Sequence, residues 1–76
     1  MATQTIHAAP ILHVRFDGRS LDLPLGGLDL AAGAGDREVK QRLAAYLEVN
    51  ARQLDAYVVD RHANGNLTIR PEAVFG

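Results

Sequence analysis

The sequence predicts a single α+β domain in which two β-hairpins flank one amphipathic helix. Between residues 11 and 25, apolar residues recur at every second position in two runs, which is the period of strands with one buried face. The same alternation returns between residues 57 and 70. Between these stretches, from Asp36 onward, apolar residues recur at helical spacing. The expected element order is therefore strand, strand, helix, strand, strand.

The first hairpin is predicted from two alternating runs joined by Asp17-Gly18. Glycine adopts positive φ without steric cost and aspartate is favoured in tight turns, so this pair is typical of a hairpin turn. Pro24 has no N–H group to donate to a neighbouring strand, so the second strand is predicted to lie at a sheet edge. The alternating apolar positions are Leu12, Val14, Phe16, Leu21, Leu23 and Leu25.

The segment after this hairpin is rich in glycine and is predicted to be an irregular connection. It contains Gly26-Gly27 and, in residues 31–35, two further glycines among alanines. Neither stretch has the lysine and hydroxyl residues of a phosphate-binding loop, so no nucleotide site is expected there. Leu28 and Leu30 are available to cover an open end of the core.

One amphipathic helix is predicted from Asp36 to Val49, with Asp36 as its N-cap. Glu38, near the helix start, complements the positive end of the helix dipole. The apolar residues fall at i, i+4, i+7 and i+8, and these are Val39, Leu43, Tyr46 and Leu47. The other sides of the helix carry the polar residues Arg37, Glu38, Lys40, Gln41, Arg42 and Glu48.

The second hairpin is predicted to follow a short helical turn. Residues 50–53 have the spacing of a capping box, and the β-branched and aromatic residues 57–59 favour a strand. The hairpin turns at Asn64-Gly65, and the returning strand ends at Pro71, which cannot donate to a ladder.

Two hairpins joined by a helix bury their apolar faces when the hairpins meet edge to edge and the helix crosses one face of the sheet. This is a β-grasp sheet of spatial order 2-1-4-3, with the first and last strands parallel in the middle. Another sheet order is the alternative. The predicted layout is a tail at residues 1–10, the domain at residues 11–71 and an extended tail at residues 72–76.

The strand and helix periods assign residues to the two faces of this sheet. The core is predicted to contain Leu12, Val14, Phe16, Leu21, Leu23, Leu43, Leu47, Tyr57, Val59, Leu67 and Ile69. The face away from the helix is predicted to present His13, Arg15, Val58, Thr68 and Arg70. Such a face is either a docking surface for a partner or an ordinary solvated surface.

Composition excludes several classes of function. The chain has 76 residues, no cysteine and a formal net charge of −1, so disulfides and cysteine-ligated zinc are ruled out. Nonspecific nucleic-acid binding requires a strongly basic face, which this charge balance disfavours. The first ten residues lack a secretory signal, and no apolar run approaches the roughly 18 residues of a membrane span. The expected location is the cytoplasm, without nucleic-acid or membrane partners.

Catalytic and metal-binding patterns are missing from the sequence. His7, His13 and His62 lack the short paired spacing that brings two metal ligands onto one face. Ser20 and the threonines have no histidine placed by sequence to activate them. The sequence therefore predicts neither an enzyme nor a resident metal or cofactor.

The residues after Pro71 are the remaining candidate for chemistry. They are Glu72, Ala73, Val74, Phe75 and Gly76. A glycine carboxylate has no side chain beside it and can enter a narrow channel to be activated. An ordinary frayed end accounts for the same residues.

Together, the two hairpins, the helix from Asp36 to Val49 and Gly76 resemble the ubiquitin-like β-grasp family. The similarity covers about sixty-five residues and is one of pattern. In that family, modifiers and the sulfur carriers of thiamine and molybdopterin synthesis end in a glycine that an activating enzyme adenylates. Only Gly76 matches this functional position, and Phe75 stands where the family usually has a second glycine. The chain is most similar to bacterial ubiquitin-like modifiers.

The resemblance implies a conjugated modifier or carrier. Its partners would be an activating enzyme, a conjugating enzyme and protein targets, with Val74 and Phe75 as apolar anchors in the activating enzyme's channel and Gly76 at the reaction. A noncovalent β-grasp interaction module and a small enzyme are the two other function classes, because fold analogy alone does not choose among them.

Overall fold

The computed structural model describes residues 10–31 and 33–72, which form a four-stranded mixed sheet with one helix. The elements are β1 (Ile11–Phe16), β2 (Arg19–Pro24), a first 3-10 turn (Leu25–Leu28), α1 (Asp36–Leu47), a second 3-10 turn (Ala51–Leu54), β3 (Tyr57–Arg61) and β4 (Leu67–Pro71). The sheet order is β2-β1-β4-β3, with β1 and β4 parallel and both outer pairs antiparallel. The predicted β-grasp-like α+β fold is confirmed, and Pro24 ends an edge strand.

The first hairpin turns where the sequence predicts. Phe16 pairs with Arg19, so Asp17 and Gly18 are the two loop residues. Both have positive φ, 53° and 76°, as a primed hairpin turn requires. The second hairpin has a longer loop, in which the His62 N–H donates to the Asn66 carbonyl over 2.9 Å.

The core lies between α1 and one face of the sheet. Its fully or nearly fully buried residues are Leu12, Val14, Leu25, Leu28, Leu30, Ala34, Val39, Leu43, Ala44, Leu54, Leu67 and Ile69. Six of the residues predicted as core are only half-buried and pack around its margin: Phe16, Leu21, Leu23, Leu47, Tyr57 and Val59. The leucines of the glycine-rich connection cover the open end of the core, as expected.

The predicted helix boundaries need correction at both ends. Gly35, with extended backbone, is the N-cap, and Asp36 is the first helical residue rather than the cap. The helix ends at Leu47 instead of Val49 because Glu48 adopts the left-handed conformation at φ 59°. The Val49 N–H then donates back to the Ala44 carbonyl over 3.0 Å, which closes the helix end.

The connection between β2 and α1 is also more regular than predicted. Leu25–Leu28 forms a 3-10 turn, with both leucines buried. The Leu25 N–H donates to the Pro10 carbonyl over 3.0 Å, and the Leu30 N–H donates to the Leu25 carbonyl over 2.9 Å. Burial of spaced leucines and these backbone bonds together hold the turn despite its two glycines.

Candidate functional site

The sheet face opposite α1 carries the five surface residues predicted from strand alternation. Leu12 and Val14 are buried on the helix side, so His13 and Arg15 point the other way. Cross-strand register places Thr68 beside His13 and places Arg70 opposite Val58. We call this surface, made of His13, Arg15, Val58, Thr68 and Arg70, the open face.

Hydrogen bonds fix several side chains of the open face. His13 Nδ1 lies 2.8 Å from Asp22 Oδ1 on β2. Arg70 Nε donates to Asp60 Oδ2 over 2.7 Å, across the β3–β4 pair. Thr68 Oγ1 lies 2.8 Å from His62 Nε2. Three polar side chains of this face, His13, Thr68 and Arg70, are therefore oriented by hydrogen bonds to their neighbours.

Arg15 gives the open face its available positive charge. Val14 and Ile69 are cross-strand partners, so Arg15 and Arg70, each one residue further along, lie side by side. Asp60 neutralises Arg70, whereas Arg15 is exposed and has no ion pair within residues 10–31 and 33–72. A carboxylate on a partner is the group that this end of the face attracts most strongly.

A groove at the end of the sheet was not predicted from the sequence. Its volume is about 470 Å³, and its lining combines the apolar residues Phe16, Leu47, Val49 and Tyr57 with the polar residues Asp17, Arg19 and Gln53. The rings of Phe16 and Tyr57 lie 5.7 Å apart, between centroids. Both residues belong to the predicted core, but their half-buried position at the sheet end is what leaves the groove open.

The C-terminal residues with predicted roles, Val74, Phe75 and Gly76, lie outside the described residues. The described chain ends beside the groove, because Tyr57 pairs with Pro71 and the Glu72 N–H donates to the Ala56 carbonyl over 2.9 Å. β4 is therefore held by β1 as far as Ile69 and by β3 as far as Pro71.

Among the described residues, no three histidine, aspartate or glutamate side chains come together to hold a metal ion. His13 forms a hydrogen bond with Asp22, and His62 forms one with Thr68. In the same part of the chain, no helix has the length and apolar character needed to cross a membrane.

Comparison with protein-family models, curated proteins and solved structures gave no match to this chain.

Proposed function

We propose that this protein is a ubiquitin-like modifier or carrier whose Gly76 carboxylate is adenylated by an activating enzyme and then transferred to a thiol and to a target. The observation that supports this most is the β-β-α-β-β arrangement with sheet order 2-1-4-3, in which the inner strand β4 leads directly into residues 72–76. Partner proteins would then recognise the folded domain, while the reaction takes place at Gly76.

The position of β4 suits this role. It is paired with β1 as far as Ile69 and with β3 as far as Pro71, so the position of its last residues in the sheet is fixed. Residues 73–76 have a maximal length of roughly 13 Å. A partner that recognises the end of the sheet would thus meet Gly76 within a limited distance.

The chemistry requires a free carboxylate at Gly76. One carboxylate oxygen attacks the α-phosphorus of ATP and pyrophosphate leaves, giving an acyl adenylate. A cysteine thiolate of the partner then attacks the acyl carbon and AMP leaves, giving a thioester. The partner supplies the magnesium, the phosphate contacts and the thiol, while this chain supplies only the acyl group.

The test is to incubate the full chain with a candidate adenylating enzyme, ATP and magnesium, and to measure intact masses. We expect an adduct on the enzyme that a thiol reductant releases. A chain lacking Gly76 should give none, and Gly76→Ala, which keeps the carboxylate and adds one methyl group, should react more slowly. The proposal would be refuted if the truncated chain formed as much adduct as the full chain. It would also be refuted if no form reacted with an enzyme that is active on another modifier.

A noncovalent protein-interaction module is the second candidate, and the ordered open face with its exposed Arg15 favours it. For a partner bound at this face, Arg15→Glu should weaken affinity while Arg42→Glu, on the helix, should not. Chains with and without Gly76 should bind equally in this case. An affinity unchanged by Arg15→Glu and Arg70→Glu together would exclude the open face as the docking surface.

A further inference from the structure

The cationic side chains divide into paired and unpaired groups. Of the 8 lysines and arginines in the chain, three form ion pairs with carboxylates: Arg42 with Asp29, Arg61 with Asp36, and Arg70 with Asp60. The other five have no ion pair among the residues that the structure describes. Two of these, Arg15 and Arg19, flank the β1–β2 turn, and the remaining three are Arg37, Lys40 and Arg52.

Arg37, Lys40 and Arg52 line one groove, although they come from two separate elements. The groove lies between α1 and the second 3-10 turn and encloses about 400 Å³. Besides the three cations, its polar lining consists of Gln41, Asn50 and Asp55. We call it the basic groove.

Both walls of the basic groove are held in place by core packing and hydrogen bonds. Arg37, Lys40 and Gln41 lie within two turns of α1, whose buried residues Val39 and Leu43 anchor it to the core. The opposite wall is held by a capping box, because Asn50 Oδ1 accepts from the Arg52 N–H over 2.9 Å and the Gln53 side chain accepts from the Asn50 N–H. Leu54, at the end of the same turn, is fully buried.

The charge of the groove contrasts with that of the whole protein. Three cations face one carboxylate in the groove, whereas the whole chain carries a formal net charge of −1. A local concentration of unpaired positive charge within a concave surface attracts negatively charged ligands and speeds their encounter.

We propose that the basic groove docks an acidic segment of a partner protein. An acidic polypeptide has carboxylates that can pair with Arg37, Lys40 and Arg52. It also has backbone N–H groups that can donate hydrogen bonds to Asp55. The amide groups of Gln41 and Asn50 can donate to its carbonyl oxygens. A DNA backbone offers only oxygen acceptors, on its phosphates and sugars, and has no N–H group to donate to Asp55. Docking here requires neither Gly76 nor adenylation, so it can be tested independently of the modifier function.

The experiment is to titrate the full chain with a labelled hexaglutamate peptide, following fluorescence anisotropy, and to map the contacts by amide NMR shifts. We expect the largest shifts at the side-chain amides of Gln41 and Asn50. Raising salt from about 50 mM to about 300 mM should weaken binding, since exposed charges are then screened. Shifts confined to other surfaces would overturn the proposal.

Two charge-reversal variants separate the groove from the overall charge. Arg37→Glu with Arg52→Glu should reduce affinity at least about tenfold, since two exposed ion pairs are lost and replaced by repulsion. Arg19→Glu with Arg42→Glu changes the net charge by the same amount at residues outside the groove and should have a much smaller effect. Equal losses in both variants would show that only the net charge matters. Tighter binding of a six-nucleotide oligothymidine than of the peptide would also refute the proposal.

Discussion

Replacing Leu43 by alanine tests how much the contact between α1 and the sheet contributes to stability. Leu43 is fully buried in the middle of α1 and belongs to the same cluster as Leu12 and Ile69 on the sheet. The substitution removes three carbon atoms, which at about 0.8 kcal/mol each amounts to roughly 2.4 kcal/mol of lost burial. The cavity left behind raises the expected loss to between about 2 and 5 kcal/mol. A domain of this size has roughly 4 to 11 kcal/mol of unfolding free energy in total.

The assay is urea unfolding followed by far-UV circular dichroism, with the midpoint and the slope fitted separately. Tyr46 is the control, since it lies on the same helix but its side chain is 55% exposed. Tyr46→Ala should change the free energy of unfolding by no more than about 0.5 kcal/mol. A Leu43→Ala midpoint equal to that of the unmodified protein would mean that this face of the helix is not packed on the sheet.

Three further substitutions test local features by the same unfolding assay. Gly18→Ala should destabilise the domain by roughly 1 to 2 kcal/mol, because φ is +76° there, whereas Gly26→Ala, with open space around the added methyl group, should be nearly neutral. Asn50→Ala should lower the free energy of unfolding by about 1 kcal/mol through loss of the capping box. An unchanged unfolding midpoint would contradict that role. Leu54→Ala should cost about 2 to 5 kcal/mol, since Leu54 is fully buried, and a neutral result would show that the second 3-10 turn is not anchored by it.

The sequence predicts the sheet correctly because each strand has one buried face. Leu12 and Val14 alternate with polar residues, and Asp17-Gly18 specifies a turn of only two residues, so pattern and turn chemistry agree. The 3-10 turn at Leu25–Leu28 was not predictable in the same way. Its glycines indicate a loop, and the burial of its leucines depends on a core that local sequence does not describe.

Local sequence was also insufficient to predict where the helix begins. Asp36 has the side chain of a good N-cap, but here Gly35 takes the extended backbone of the cap and Asp36 forms an ion pair with Arg61. Arg61 lies in β3, far along the chain, so the competing interaction is visible only in three dimensions.

One of the two candidate binding surfaces could be predicted from the sequence, and the other could not. Strand alternation is sufficient to place His13 and Arg15 on the open face. The basic groove could not be predicted, since Arg37 and Lys40 belong to the polar sides of α1 and Arg52 to a turn beyond it. Only the packing of that turn against the helix brings the three charges together.

The central pairing of β1 with β4 has a consequence for how the protein is made. The Ile11 N–H bonds Asn66 Oδ1, a residue 55 positions later in the chain. Contacts of such large sequence separation slow folding, because the entropy cost of closing a long loop must be met before the contact forms. During translation the β1–β2 hairpin emerges with the inner edge of β1 bare, and that edge stays bare until β4 has been synthesised. An unpaired strand edge is a site for mispairing with other chains. A chain truncated before Leu67 would keep this edge of β1 unpaired and would be prone to aggregation.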